Sequence, residues 1–141
     1  MELKGEIGII QIEVLFNKTS GTNNYWEENW LYCTVKGNFP GFISNYECNI
    51  RTDDFERCYN ELVELHKFSR EIAKFTTIEE GLIIILERNH NGSIKVTGSM
   101  NAVDLTGCSL NFNFQTDNFS LESFINDIFY ILKEYPIIGI A

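Results

Sequence analysis

The stretch Leu110-Asn111-Phe112-Asn113-Phe114-Gln115 alternates strictly between apolar and polar side chains. Because neighbouring residues of a β-strand point to opposite faces of its sheet, this pattern predicts a half-buried strand, placed at about Leu105 to Thr116. The same alternation occurs in five further stretches, whereas helical spacing occurs in only two. The sequence therefore predicts a fold built mainly from antiparallel strands.

Six strands follow from this pattern. They cover about Ile7 to Phe16, Asn29 to Lys36, Gly41 to Arg51, Leu82 to Leu86, Ile94 to Met100 and Leu105 to Thr116. In the first strand the even-numbered residues, including Ile10 and Phe16, are predicted to face the core.

Loop lengths follow from which residues must share a face. A turn at Gly37 to Pro40 sets Val35 opposite Phe42, which offsets Cys33 from Cys48 by about four residues, or roughly 13 Å. The hairpin after the fourth strand needs an odd number of loop residues. We predict His90-Asn91-Gly92, with Gly92 in the left-handed conformation.

Two stretches have helical spacing. The first helix is predicted to begin after a capping Thr52 and to end near Phe68, and the second to cover Leu121 to Tyr135. Between Ser69 and Thr77 the pattern is ambiguous, and Arg70 to Phe75 fits one more helical turn. The predicted fold is α+β, a single domain over residues 1–141. Its order is βββα-βββα, with one six-stranded antiparallel sheet and both helices on one face.

The chain has 11 Lys and Arg against 20 Asp and Glu, so its formal net charge is 11 − 20 = −9. This charge disfavours nucleic acid and anionic membranes as partners, because both are bound chiefly through basic side chains. The start, Met1 to Glu6, lacks the basic and apolar regions of a secretory signal. No apolar run is long enough to span a bilayer, and we therefore expect a cytoplasmic protein.

Residues able to carry catalysis are few. No sequence motif of a hydrolase, a metalloprotease or a nucleotide-binding site is present, and the four cysteines include no C-x-x-C pair. Asp53 and Asp54 fit helix capping better than cation binding, and His66 fits a packing histidine better than a general base. We predict no catalytic, cofactor-binding or metal-binding residue. The alternative is a small-ligand binder or enzyme with a pocket lined by Tyr46, Tyr59 and His66.

Protein binding is favoured by the sheet face predicted to point away from the helices. It combines amides, hydroxyls and carboxylates with a few large apolar side chains, as protein-binding surfaces do. Its predicted members are Gln11, Glu13, Trp30, Tyr32, Thr34, Ile43, Asn45, Glu47, Ile83, Ile85, Thr97, Ser99, Asn111, Asn113 and Gln115. Coverage of Ile83 and Ile85 by the loop Thr19 to Glu28 is an alternative, and a homo-oligomer formed through an edge strand is another.

Several short stretches, in order along the chain, carry a resemblance to a known family. They are Val35 to Phe39, Asp54 to Leu65, Glu80 to Leu82, Asn91 to Gly98 and Leu110 to Asp117. From about Glu28 onward the chain resembles the immunity proteins of bacterial wall-associated-protein toxins, the WapI family. The resemblance implies a non-enzymatic bacterial protein that binds and neutralises a cognate toxin domain, often a nuclease, in contact-dependent inhibition.

A nuclease needs a basic surface, to which an acidic inhibitor would be drawn. We expect the toxin contact to combine aromatic anchors with carboxylates. The predicted contact residues are Trp26, Glu27, Glu28, Trp30, Tyr32, Glu47, Asp53 and Asp54.

Overall fold

Eight strands and two helices make up the computed structural model, which describes residues 1–102 and 107–141. Along the chain they are β1 (Glu2–Lys4), β2 (Ile9–Lys18), β3 (Trp30–Phe39), β4 (Phe42–Arg51), α1 (Thr52–His66), β5 (Ile72–Thr76), β6 (Leu82–Arg88), β7 (Ile94–Ala102), β8 (Cys108–Thr116) and α2 (Asn118–Glu134). The prediction of strand for Leu105 lies outside the described residues. None of the described helices is long and apolar enough to cross a membrane.

The strands form two antiparallel sheets of four, ordered β1-β2-β3-β4 and β5-β6-β7-β8. The α+β class is confirmed, but the single six-stranded sheet with the order βββα-βββα is wrong. The true order is ββββα-ββββα. The sequence analysis does not predict the short strands β1 and β5: β1 has only three residues, and the pattern of residues 70–75 also fits one helical turn.

The β3–β4 hairpin turns over two residues, because Phe39 pairs with Phe42. The predicted turn at Gly37 to Pro40 is therefore wrong, and so is the offset between the two cysteines: Cys33 lies directly opposite Cys48. Both loop lengths are even, so the alternation alone could not distinguish them. Proline followed by Gly41, with φ +81°, matches a type II turn.

A β-bulge between Val14 and Phe16 corrects the predicted inner face of the first long strand. Ile10 and Ile12 are buried as predicted, but the extra residue turns Phe16 outward, where half of it is exposed. In the second half the predicted three-residue loop is confirmed. Leu86 pairs with Val96, and Gly92 has φ +89°.

Helix α1 begins at Thr52, and Arg51 rather than Thr52 is its N-cap residue. The helix packs on β5 through Phe55, whose ring meets Phe75 edge-on at 5.4 Å, and it also packs on α2, which contacts β1. The two sheets meet directly where Phe39 stacks on Phe112 at 5.4 Å. The core thus joins both sheets and both helices, and the outer face of the first sheet points away from it.

Candidate functional site

Arg51 organises the loop between β2 and β3, residues 19–29, which we call the Trp26 loop. The side chain is buried, and its guanidinium donates to the backbone carbonyls of Tyr25 at 3.0 Å and Trp26 at 3.1 Å. Its Nε also pairs with Asp53 Oδ1 at 2.8 Å. Arginine suits this position because its fork of donors serves several acceptors at once.

Three aromatic rings surround the same guanidinium. Its carbon atom lies 5.0 Å from the ring centre of Tyr25, 5.3 Å from Trp26 and 5.1 Å from Trp30. Trp30 Nε1 also donates to the Trp26 carbonyl. These contacts place the Trp26 loop beside the outer face of the first sheet, because Trp30 and Arg51 are paired residues of β3 and β4. These contacts hold the loop in place. Because Trp26 is still 60% exposed, the loop presents an aromatic surface to solvent.

Glu28 closes the loop from the inside. Its Oε1 accepts hydrogen bonds from the backbone N–H groups of Ser20 at 3.0 Å and Thr22 at 3.1 Å and from the Ser20 hydroxyl at 2.8 Å. The bond from the Ser20 hydroxyl is the main reason why the pKa of Glu28 is lowered. The residue is buried and therefore holds the loop together rather than facing solvent.

The loop also contacts the C-terminal segment. Asn29 donates to the Ile138 carbonyl at 2.9 Å and accepts from the Ile138 N–H at 2.8 Å. Gly139 approaches Asn23 so closely that an added Cβ would lie 2.8 Å from its carbonyl oxygen. These contacts place the loop against Arg51 and the C-terminal segment.

Next to Trp30 on the outer face lies Tyr32, which stacks on Phe16 with ring centres 5.0 Å apart. Its hydroxyl donates to the Glu47 carboxylate, and Lys18 Nζ lies 5.4 Å from its ring centre. A groove of about 550 Å³ continues from here along β4. Its lining is Tyr32, Thr34, Lys36, Asn45, Tyr46, Glu47 and Ala102.

The structure separates the predicted contact residues into two groups. Trp26, Glu27 and Glu47 are exposed, and Trp30 and Tyr32 are half-buried on the same side of the first sheet. The other three hold the loop and the start of α1: Glu28 and Asp54 are buried, and Asp53 pairs with Arg51. Asp54 Oδ2 accepts from the N–H groups of Arg51 at 3.3 Å and Ile78 at 3.2 Å.

The residues of the alternative pocket make separate contacts. The Tyr46 hydroxyl donates to the Gly81 carbonyl at 2.5 Å, Tyr59 lies against Phe129, and His66 Nε2 lies 3.9 Å from a Glu122 carboxylate oxygen. In residues 1–102 and 107–141 no group of three or more acidic, histidine or cysteine side chains could hold a metal ion.

Burial keeps the thiols of two of the buried cysteines in the neutral form. Cys33, Cys48 and Cys58 are buried, whereas Cys108 is exposed. Burial raises the pKa of Cys33 and of Cys58, which disfavours the reactive thiolate form.

Sequence reasoning missed Arg51 and Phe16. Phe16 gave no signal, since the bulge that turns it outward interrupts an otherwise regular alternation. Arg51 did give one: it is the only basic residue between Lys36 and Arg57, on a strand predicted to pair with the strand that carries Trp30. Arginine stacks readily on aromatic rings, so this arrangement could have suggested the contact.

The protein has two four-stranded sheets, and the outer face of the first sheet carries aromatic side chains and carboxylates. This composition is typical of proteins that bind another protein. The model of the Immunity protein WapI-like family matches residues 2–136, and the chain belongs to this family. No curated protein matches the chain. Among solved structures, the crystal structure of WHY1 from Arabidopsis thaliana is similar over 97% of this chain and 84% of that chain. The sequence identity is 10% and the TM-score 0.49.

Proposed function

We propose that this protein binds a cognate toxin domain and neutralises it by occupying its surface, without catalysis and without a cofactor or metal. Membership of the WapI-like immunity protein family carries this proposal. The proposed contact surface is the aromatic face, which we define as Phe16, Trp26, Trp30 and Tyr32, together with the carboxylates of Glu27 and Glu47. Glu28, Asp53 and Asp54 act behind this surface by holding the Trp26 loop and the start of α1 in place.

The aromatic face has the composition expected of a binding hot spot. Trp and Tyr carry a large share of the affinity in many protein interfaces, since each buries a large area and loses few rotamers. Arg51 and Glu28 order the loop before any partner arrives. A loop already held in its bound conformation spends less free energy on binding.

The net charge of −9 supports a basic partner, as a nuclease-type toxin domain would be. Opposite charge mainly accelerates association, whereas the aromatic side chains that become buried in the interface slow dissociation. The same charge supports the proposal that neither nucleic acid nor a membrane is a partner. The proposed place of action is the bacterial cytoplasm, where an incoming toxin would meet its target.

Co-expression tests the function directly. We expect the gene immediately upstream of this chain's gene to encode a toxin, and the probe is the C-terminal domain of that toxin, expressed in a sensitive bacterium with and without this protein. We expect growth to be restored and the two proteins to co-purify. Growth arrest in the presence of both folded proteins would contradict the proposal.

Charge reversal at one position of the loop tests the contact surface. Glu27→Lys should slow association with the toxin domain about tenfold at low salt and flatten its salt dependence, because steering by opposite charges falls with ionic strength. Glu87→Lys is the matched control, since Glu87 is exposed on β6 of the second sheet and the change in net charge is identical. Equal association rates for the two variants, measured by stopped flow, would exclude Glu27 from the interface.

A further inference from the structure

The outer edge of β4 is a row of backbone groups that point away from its partner strand β3. β4 is the last strand of the first sheet, so only one side of it pairs with β3. The two-residue turn makes Phe39 and Phe42 a hydrogen-bonded pair, and in an antiparallel ladder such pairs alternate with non-bonded ones. The backbone N–H and C=O groups that point away from β3 therefore belong to Ile43, Asn45, Glu47 and Asn49.

Within residues 1–102 and 107–141 no backbone group bonds to these four residues from outside the hairpin. On β8, one of the two edge strands of the second sheet, the Gln115 carbonyl accepts a hydrogen bond from the Glu6 N–H at 3.3 Å. Proteins usually protect a long edge with prolines, lysines or a covering segment. β4 has ten residues and neither proline nor lysine.

The side chains of the same four residues lie on the outer face of the sheet. Ile43 is 81% exposed, and Asn45 and Glu47 are exposed. This row is continuous with the proposed contact surface, because the Tyr32 hydroxyl donates to the Glu47 carboxylate. The groove of about 550 Å³ follows the same part of β4. A strand laid against the edge would lie in the groove and next to the aromatic face.

We propose that β4 receives an extended segment of the toxin domain as a fifth strand of the first sheet, an inference that rests on the proposed function. Backbone hydrogen bonds to Asn45 and Glu47 would hold the added strand, as in other cases of strand addition. Its outward side chains would include a Lys or Arg beside Glu47 and an apolar residue beside Ile43. The carboxylate is the one charge in the row from Ile43 to Asn49, and cross-strand neighbours of opposite charge attract.

Amide hydrogen exchange in the free protein and in the complex with the upstream-encoded toxin domain tests the inference. In the free protein the N–H groups of Asn45 and Glu47 should exchange without protection. In the complex their exchange rates should fall at least tenfold. A complex that forms without protecting these two amides overturns the strand addition and leaves the proposed function intact. Failure of the wild-type proteins to bind at all overturns both.

A proline variant gives an independent measurement. Asn45→Pro removes an N–H that points away from β3 and adds bulk at the edge, so the β3–β4 ladder is kept. Asn45→Ala removes the same side chain but retains the N–H, which makes it the matched control. We expect Asn45→Pro to bind at least tenfold more weakly than Asn45→Ala, with unchanged circular dichroism. Equal affinities of the two folded variants would overturn the proposal, and if the proline variant fails to fold, the exchange result on the wild type decides.

Discussion

The two halves of the chain make the same connection between their second and third strands in different ways. In the second half residues 89–93 form a tight hairpin, in which Gly92 donates to the Asn89 carbonyl at 3.0 Å. In the first half residues 19–29 form the Trp26 loop, which is held by Arg51, Glu28 and the C-terminal segment. The backbone of the hairpin closes on itself, and Asn89 also donates to Gln115 Oε1 at 2.8 Å. The Trp26 loop has no such short closing turn and depends more on residues distant in the sequence.

The residues before the two helices differ in the same way. Asp117 caps α2 conventionally, because its Oδ1 accepts from the Ser120 N–H at 2.7 Å. Arg51 precedes α1 and has no oxygen to offer, so its side chain turns to the Trp26 loop. Departures from local rules tend to occur where function requires them. The first half thus has neither a side-chain N-cap nor a short turn at these places, and it has an ordered aromatic surface instead.

The largest effect should come from removing the residue that joins the loop to the sheet. Arg51→Ala should lower the free energy of unfolding by about 3–5 kcal/mol, since it leaves buried polar groups without their partner. Asp117→Ala, at the equivalent place in the second half, should cost only about 1 kcal/mol. Urea unfolding of both variants measures the difference. Similar losses would show that the two halves are stabilised alike.

Glu28 should give the first half a pH dependence. Its pKa is below the ordinary value of 4.5 in the folded state, so the folded protein favours the carboxylate. The resulting stabilisation is complete above the unfolded pKa and is lost as the pH falls through the folded pKa. Glu28→Gln should therefore be less stable than wild type at pH 7, and this difference should shrink in acid below about pH 4.5.

Thermal unfolding from pH 7 down to pH 3 follows the difference between Glu28→Gln and wild type. Glu79→Gln serves as the control, because Glu79 is an exposed glutamate between β5 and β6. A constant difference between Glu28→Gln and wild type over this range would mean that the carboxylate does not hold the loop.

The smallest effect concerns left-handed backbone in the two connections. Gly92→Ala should cost about 1 kcal/mol, because Gly92 has φ +89°, which disfavours a Cβ. Asn23, in the Trp26 loop, has φ +56°, and asparagine tolerates this region. Asn23→Gly should consequently change stability by no more than about 0.5 kcal/mol. Chemical denaturation measures the free energy of unfolding of both variants. A larger loss for Asn23→Gly than for Gly92→Ala would show that the Trp26 loop, and not the hairpin, depends more on its left-handed residue.

The alternation predicted much of what is local in this fold. It located six of the eight strands, the inner faces of β3 and β7, and the odd loop length between β6 and β7. It missed the short β5 and the bulge before Phe16. In a segment as short as Ile72–Thr76, alternation is hard to tell from helical spacing, and a bulge reverses the faces without any change in composition.

The sequence analysis selected several residues of the candidate site, but it missed Arg51 and Phe16 and did not predict which of the selected residues are buried. The loop around Trp26 and the residues Tyr32 and Glu47 could be selected because protein-binding surfaces combine aromatic side chains with polar and charged ones. The burial of Glu28 and Asp54 could not, because both depend on hydrogen bonds to other segments. A charged side chain is predicted to be exposed unless a residue that pairs with it is known, and sequence alone does not identify such a residue.

The sequence by itself determined which residues of each long strand share a face and that both halves repeat strands followed by a helix. Only the tertiary structure decided that the strands divide into two sheets, that Cys33 meets Cys48, and that Arg51 lies buried among three aromatic rings. The physical reason is how far apart along the chain the interacting residues lie. Alternation arises from the geometry of consecutive residues, whereas strand partners and buried charges are chosen by contacts between residues far apart in the chain.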